Sequence, residues 1–247
     1  MEYLKYQRKA LTLVKNAGFD YIEMHYHHRP DWVATGLQKL VEDSNLIPYS
    51  IHLPKLMLSN PRDQFNDDVD SIFTLIRNLD IKVSVLHPPL RQHLSEKEWM
   101  KRVEILLEKS SQTNCSLTFE IIPYLDDPHL FVKEQIEKYS NSKIGVTIDL
   151  EYMYLRRLDL GMLLDMFSER VLNIHFRDSD GSLLDSDGKR KYIVPGEGEI
   201  DLWSVVDTLQ TSGYDNAITI EVSYRDPDNI VRAKKYTDTL FKKMNEV

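Results

Sequence analysis

Residues 115–149 read CSLTFEIIPYLDDPHLFVKEQIEKYSNSKIGVTID. An apolar run at each end of this stretch closes on an acid, Glu120 in the first run and Asp149 in the second. The segment between the two runs has a helical period. This order of strand, helix and strand predicts two parallel strands joined by a right-handed crossover. Since parallel strands end at the same face of a barrel, we expect the two acids to lie near each other.

The same alternation of strand and helix runs along most of the chain. Ser95 and Glu98 form a capping-box pattern that predicts the start of one of the helices. Because a helical segment at residues 3–17 comes before the first strand, the sequence predicts seven strands and eight helices. The strand candidates are residues 19–24, 48–52, 81–87, 115–121, 144–149, 171–176 and 217–222.

Two folds would cover both faces of such a parallel sheet, a closed TIM-type α/β barrel and an open doubly wound sheet. The length of 247 residues is close to that of one barrel, which usually has about 250 residues. No segment rich in proline, glycine or serine divides the chain. We therefore expect a single domain over residues 1–247 and favour the barrel.

Composition and charge restrict the function. Lys and Arg number 31 and Asp and Glu 39, a net charge of −8, which argues against general binding to nucleic acid backbones. Cys115 is the single cysteine and cannot form an internal disulfide. No signal-peptide pattern and no long apolar run is present, so we expect a cytoplasmic protein that does not span a membrane.

A second regularity is a histidine or an acid at the last or next-to-last position of each of the last six strand candidates. A single polar residue could simply cap its strand, but capping is a poor explanation for six such residues in one chain. Carboxylates that converge at one face repel one another unless a cation neutralises them or their pKa values rise. A bound divalent metal ion is the simplest solution. The six residues are His52, His87, Glu120, Asp149, His175 and Glu221.

Fragments spread over nearly the whole chain carry a resemblance to a known family. They are AGFDYIE at residues 17–23, IHLP at 51–54, LHPP at 86–89 and PGEGEID at 195–201, together with the acids and histidine that end four strands. In this order they resemble the xylose-isomerase-like barrel superfamily, which contains sugar isomerases, ketose epimerases and AP endonucleases. The resemblance implies a TIM-type barrel. Members of the superfamily usually begin with a strand, and this sequence departs from them because it starts almost directly in a helix, so we expect the first strand to be absent.

The resemblance also implies a metal site and a reaction. One divalent ion would be held by Glu120, Asp149, His175 and Glu221, an oxygen-rich set that suits manganese or magnesium and also accepts cobalt or zinc. In the epimerase branch the two glutamates, Glu120 and Glu221, also transfer protons. One removes a proton beside a carbonyl and the other returns it on the opposite face, through a metal-stabilised ene-diolate.

The expected substrate is a small sugar or a relative such as an inositol derivative. His52, His87 and Arg177 are expected to line the pocket and to bind substrate oxygens. Asp178, which follows Arg177, could equally reach a substrate hydroxyl or phosphate. After the first strand, His25, His27 and His28 cluster with Arg29. We interpret this stretch as a solvated loop, with substrate contact at the barrel mouth as the alternative.

Two other functions stay open. An AP endonuclease-like phosphodiesterase would hold three zinc ions, but Tyr152, Arg190 and Tyr192 occupy the positions of additional ligands in that family. A barrel that binds a metal or a sugar without turnover is the third reading. The absent first strand supports this non-catalytic reading. Without that strand the barrel would be open on one side or closed by a partner subunit in a homodimer. Alternatively, the sequence lacks the true N-terminus.

Overall fold

The computed structural model describes residues 2–26, 31–59, 65–89, 94–139, 143–223 and 226–244. Seven strands form one sheet in which every neighbouring pair is parallel and the spatial order equals the chain order. This confirms the TIM-type α/β barrel with seven strands. The strands are β1 (Tyr21–His25), β2 (Ile47–His52), β3 (Val83–Leu86), β4 (Ser116–Glu120), β5 (Ile144–Asp149), β6 (Val171–Phe176) and β7 (Ala217–Ile220).

The helices cover the outside of the sheet. They are α1 (Glu2–Asn16), α2 (Asp31–Ser44), α3 (Phe65–Leu79), α4 (Glu96–Ser111), α5 (Pro128–Tyr139), α6 (Leu150–Leu155), α7 (Leu160–Phe167), α8 (Leu202–Thr211) and α9 (Pro227–Met244), with a short 3-10 helix at Ser168–Arg170. The capping box of Ser95 and Glu98 at the start of α4 is present, as the sequence predicts.

The described residues contain nine α-helices, so the expected number of eight is wrong. The additional helix lies between β5 and β6, where the chain forms α6 and then α7. Arg157 separates them in a left-handed conformation with φ of 52°, which ends a helix. Asp159 then starts α7 because its carboxylate accepts the backbone N–H of Met162 at 2.8 Å.

The sheet is nearly closed into a barrel. Among the described residues the strand pairing runs from β1 to β7 without a pairing between these two strands. A side-chain hydrogen bond connects β1 with β6, because Asn173 on β6 donates to the carboxylate of Glu23 on β1 at 3.2 Å. The prediction of an incomplete barrel is therefore confirmed at the level of the main chain.

Polar residues form a layer inside the barrel below the strand ends. Successive side chains of a strand point to opposite faces, so Thr118 shares a face with Glu120 and Thr147 shares a face with Asp149. The two threonine hydroxyls lie 2.7 Å apart and both residues are fully buried. The alternate residues, such as Phe119 and Ile148, face the helices and are also fully buried. This alternation places the strand-end acids over a rigid, hydrogen-bonded floor.

No helix of the described segments has both the length and the apolar character that crossing a bilayer requires.

Candidate active site

The six predicted strand-end residues meet at one end of the barrel. Register places Asp149 on β5 beside His175 on β6. Five of the six are buried: His52, His87, Glu120, Asp149 and His175. The side chain of Glu221, one residue past β7, keeps 23% of its surface exposed.

Glu120 lies at the centre of a group of imidazoles. Its Oε1 atom is 2.9 Å from Nδ1 of His175, while Oε2 is 2.6 Å from Nε2 of His87 and 3.5 Å from Nε2 of His52. The Oε2 atom is buried and makes no aligned hydrogen bond. Burial alone would raise the pKa of Glu120, but the imidazoles of His87 and His175 lower it well below the usual value. The carboxylate is therefore ionised and has one oxygen without a hydrogen bond.

His175 is surrounded by carboxylates on both sides of its ring. Nδ1 faces Glu120, Glu221 at 3.4 Å and Asp149 at 3.8 Å, while Nε2 is 3.3 Å from Glu23. Burial alone would lower the pKa of His175, but the charges of Glu23, Glu221 and Glu120 raise it well above the usual value. Without a metal ion to neutralise these carboxylates, the imidazole is therefore cationic.

Arg177 connects two of the proposed metal ligands. Its guanidinium pairs with Asp149, with Glu151 at 3.0 Å and with Glu221 at 2.7 Å, and it lies 4.6 Å from the ring centroid of Tyr152. Burial alone would raise the pKa of Glu221, but Arg177 and His175 lower it to about 2. In this structure the donors of Arg177 thus go to carboxylates, and a substrate contact of Arg177 stays a prediction.

The side chains provide ligand atoms close enough to hold a metal ion. Glu120, which has the unsatisfied oxygen, belongs to two groups of three residues whose ligand atoms lie within 4.8 Å of one another. Carboxylate and imidazole donors of this kind fit manganese, magnesium or zinc. Glu221 belongs to a group with Glu23 and His175, and not to the group that contains Asp149. The three groups are His52–His87–Glu120, Glu23–His175–Glu221 and Glu120–Asp149–His175.

This end of the barrel can be compared with known families. The sequence profile of a family described as xylose isomerase-like TIM barrel matches residues 11–242. The chain belongs to this family. The resemblance that the sequence fragments carry is thereby confirmed.

Relatives of the xylose isomerase-like barrel act on sugars and similar compounds. Inosose dehydratase from Lacticaseibacillus casei is 27% identical over 113 residues, which cover 39% of this chain and only 38% of the dehydratase. The crystal structure of D-psicose 3-epimerase with D-tagatose from Clostridium cellulolyticum H10 has a TM-score of 0.69 and 14% identity, over 98% of this chain and 93% of that one. A xylose isomerase-like TIM barrel protein from Mycobacterium smegmatis in complex with magnesium has a TM-score of 0.71 and 12% identity, over 96% and 88%. Both structures establish a likeness of fold.

Glu23 is a residue of the site that the sequence did not single out. It lies on β1 and its carboxylate contacts His175, accepts a hydrogen bond from Ser50 at 2.7 Å and another from Asn173. The available signal was its position within AGFDYIE, a fragment used for the resemblance and not for chemistry. His25, on the same face of β1, lies with its ring centroid 5.0 Å from that of His52. His27 and His28 lie outside the described residues.

Asp178 holds a loop of the xylose isomerase-like barrel. Its carboxylate accepts the backbone N–H groups of Gly196 at 2.9 Å, Gly198 at 3.0 Å and Ile200 at 3.1 Å, and also that of Ser179. A Cβ atom at Gly198 would lie 2.2 Å from Oδ1 of Asp178, so glycine is required for this close approach. Since both carboxylate oxygens are engaged with the loop, Asp178 shapes the PGEGEID segment and its expected alternative role in substrate contact has no support.

The positions at which AP endonucleases carry additional ligands hold a stack of rings and guanidinium groups. The Arg190 guanidinium lies 4.9 Å from the ring centroid of Tyr192 and 5.9 Å from that of Tyr152. It also pairs with Glu151, which Arg177 contacts from the other side. These contacts are cation–π and ionic, and none of the three residues offers the carboxylate or imidazole that a third metal ion would need.

Proposed function

We propose that this xylose isomerase-like barrel is a metal-dependent isomerase or epimerase of a small sugar or a related hydroxy-ketone. The observation that carries the proposal is the placement of Glu120 and Glu221 on either side of the His175 and Asp149 pair, with both glutamates within 3.4 Å of the same imidazole nitrogen. Removal of the proton requires one glutamate in its ionised form, and return of a proton to the opposite face requires the other glutamate in its protonated form.

Four residues would hold the ion, namely Glu120, Asp149, His175 and Glu221. When bound, a divalent ion there would act as a Lewis acid that stabilises the negative charge developing on a carbonyl oxygen. Its binding would also take over the neutralisation of Asp149 and Glu221 that Arg177 provides in this structure. The donor chemistry and the magnesium complex of the Mycobacterium smegmatis relative support such an ion.

The glutamates would carry out the proton transfer. Because the neighbouring cations hold the pKa values of Glu120 and Glu221 low, either carboxylate is ionised and can act as the base that accepts a proton from the carbon beside a carbonyl. The proton delivered to the opposite face would come from the other glutamate, after that glutamate has taken up a proton from solvent. The partly exposed Glu221 faces the solvent side, while Glu120 is enclosed. His52 and His87, stacked edge to face with centroids 4.9 Å apart, would bind substrate oxygens beside Glu120.

The substrate class is supported by the relatives. An inosose dehydratase and a D-psicose 3-epimerase act on polyhydroxylated ketones. Abstraction of a proton beside the carbonyl would serve an epimerisation, an isomerisation or the first step of a dehydration. The shared step is therefore the part of the reaction that we assign.

The test is exchange of substrate hydrogen with solvent deuterium. Purified protein with Mn²⁺ is incubated in D₂O with a panel of ketoses and inososes, and the carbon beside the carbonyl is followed by proton NMR. Exchange with at least one compound is expected, and Glu221→Gln should abolish it while Glu197→Gln, an exposed glutamate paired with Arg232, leaves it unchanged. Binding of a sugar without any exchange would show a non-catalytic barrel and refute the proposal.

One observation favours a second candidate, an AP endonuclease-like phosphodiesterase. His52, His87 and Glu120 form a group of ligand atoms separate from that of Asp149, and a second ion there would suit phosphodiester cleavage. The net charge of −8 and the cation–π stack at Tyr152 and Tyr192 weigh against it. Cleavage of a duplex oligonucleotide with one abasic site, dependent on added zinc, would establish this activity.

A further inference from the structure

Glu23 links β1 with β6, two strands without main-chain pairing among the described residues, and also contacts β2, which pairs with β1. It lies on β1 at the open position of the barrel, and its partners lie on β2 and β6. Oε2 of Glu23 accepts hydrogen bonds from Ser50 at 2.7 Å and Asn173 at 3.2 Å, and Oε1 is 3.3 Å from Nε2 of His175. The Glu23 side chain is only 10% exposed, so these contacts are shielded from water.

The orientation of Glu23 is fixed by a network that extends to β7. Thr219 donates its hydroxyl to Oδ1 of Asn173 at 2.9 Å, which turns the amide nitrogen of Asn173 toward Glu23. Ser50 holds the same oxygen from the other side. Both oxygens of Glu23 therefore face His175, whose Nε2 is 3.3 Å from Oε1 and 3.4 Å from the Oε2 atom that Ser50 and Asn173 hold in place.

We propose that Glu23 is a positioning residue that holds Nε2–H of His175 and thereby keeps Nδ1 available to a metal ion. The two ring nitrogens of an imidazole point away from each other, and Nδ1 is the nitrogen that faces Glu120, Asp149 and Glu221. A carboxylate that accepts the outer N–H of a ligating histidine fixes both its tautomer and its ring orientation. The inference rests on the metal site of the proposed function and adds to it a residue outside the ligand set.

The contacts of Glu23 separate this role from that of a ligand. Ligand atoms of Glu23, His175 and Glu221 also lie within 4.8 Å of one another, but Glu23 approaches His175 at Nε2. Nε2 lies on the opposite side of the ring from Nδ1, which faces Asp149 and Glu120. One ion cannot contact both nitrogens of one imidazole. Since Nδ1 has three carboxylates around it and Nε2 has the already hydrogen-bonded Glu23, we assign the ion to the Nδ1 side.

The first test measures metal affinity in the purified protein of residues 1–247. Mn²⁺ binding is followed by calorimetry in the wild type and in Glu23→Ala, and we expect the variant to bind about 10–100-fold more weakly. Glu23→Gln, which keeps an acceptor oxygen, should recover part of the loss. Ser50→Ala removes one of the hydrogen bonds that orient Glu23, so its loss of affinity should be smaller than that of Glu23→Ala. The control is Glu197→Gln, an exposed glutamate paired with Arg232, whose affinity should equal that of the wild type.

The second test observes His175 directly. Its signal would not change if Glu23 only stabilised the fold. In zinc-loaded protein with ¹⁵N-labelled histidine, His175 should give a slowly exchanging Nε2–H signal, assigned by its loss in His175→Gln. The signal should disappear in Glu23→Ala. Absence of Mn²⁺ and Zn²⁺ binding by the wild type would refute the metal site and with it the proposed function. Normal affinity and an unchanged Nε2–H signal in Glu23→Ala would overturn the role of Glu23 alone.

Discussion

Arg177 neutralises Asp149 and Glu221, which the proposed metal ion would also neutralise. Replacing Arg177 therefore distinguishes the contribution of the guanidinium from that of the ion. Its guanidinium is 3% exposed and pairs with Asp149, Glu151 and Glu221. The change Arg177→Met keeps much of the side-chain volume beside Tyr152 and removes the charge. In metal-free protein Asp149 and Glu221 then lose their guanidinium partner, while Glu151 keeps only its pair with Arg190. Asp149 and Glu151 are almost completely buried.

The magnitude follows from the cost of leaving a buried charge without its partner, about 3–5 kcal/mol. For a chain of this size, roughly 2–4 °C of melting temperature correspond to each kcal/mol, so the metal-free variant should melt about 6–20 °C below the wild type. With Mn²⁺ present the loss should shrink, because the ion neutralises Asp149 and Glu221 directly. The variant should also bind Mn²⁺ more tightly than the wild type, since Arg177 no longer competes for these carboxylates.

The assay is thermal and urea-induced unfolding of both proteins, once with a chelator and once with saturating Mn²⁺. Arg190→Met is the matched control, because Arg190 is 22% exposed and pairs with Glu151 but with neither proposed ligand. Its loss should be about 1–2 kcal/mol and the same in both conditions. Equal destabilisation of Arg177→Met with chelator and with Mn²⁺ would refute the reasoning, since it would mean that no ion reaches Asp149 and Glu221.

Two further predictions concern pH and the loop held by Asp178. Because the folded state lowers the pKa of Glu221 from its ordinary value near 4.5 to about 2, its contribution is complete above pH 4.5 and is lost as the pH falls toward 2. Urea midpoints of metal-free protein should therefore decrease over this window, with a shallower decrease in Glu221→Gln, and parallel curves would contradict the pKa assignment. Asp178→Ala should lower the free energy of unfolding by about 3–5 kcal/mol, since it leaves several backbone N–H groups without their charged acceptor. Hydrogen exchange should then accelerate at Gly198 and Ile200, and unchanged protection of these amides would show that Asp178 does not hold the loop.

Local patterns were sufficient to predict the strands and the residues at their ends. The alternation of side chains along a strand places Thr118 and Glu120 on one face, and parallel pairing brings the ends of β4, β5 and β6 together. The positions of Glu120, Asp149 and His175 at one buried site therefore follow from sequence periodicity and topology. The capping box of Ser95 and Glu98 is equally local, because all of its hydrogen bonds join residues three apart.

What the sequence did not reveal depends on contacts between distant residues or on a single backbone conformation. Glu23 reaches Asn173 and His175 across about 150 residues of chain, and no periodicity reports such a contact. Asp178 looked available for substrate, but amides some twenty residues later engage its carboxylate. The division of one expected helix into α6 and α7 follows from the left-handed conformation of Arg157. This conformation is uncommon for an arginine, so the sequence pattern does not indicate it.

The central claim is that Glu120, Asp149, His175 and Glu221 together hold one divalent ion. Anomalous diffraction from crystals soaked in Mn²⁺ tests it most directly, because it locates each ion independently of activity. We predict one strong anomalous peak per chain, within bonding distance of these four side chains and on the Nδ1 side of His175. A peak held by His52 and His87 alone, a peak on the Glu23 side of the ring, or no peak at saturating Mn²⁺ would contradict the claim.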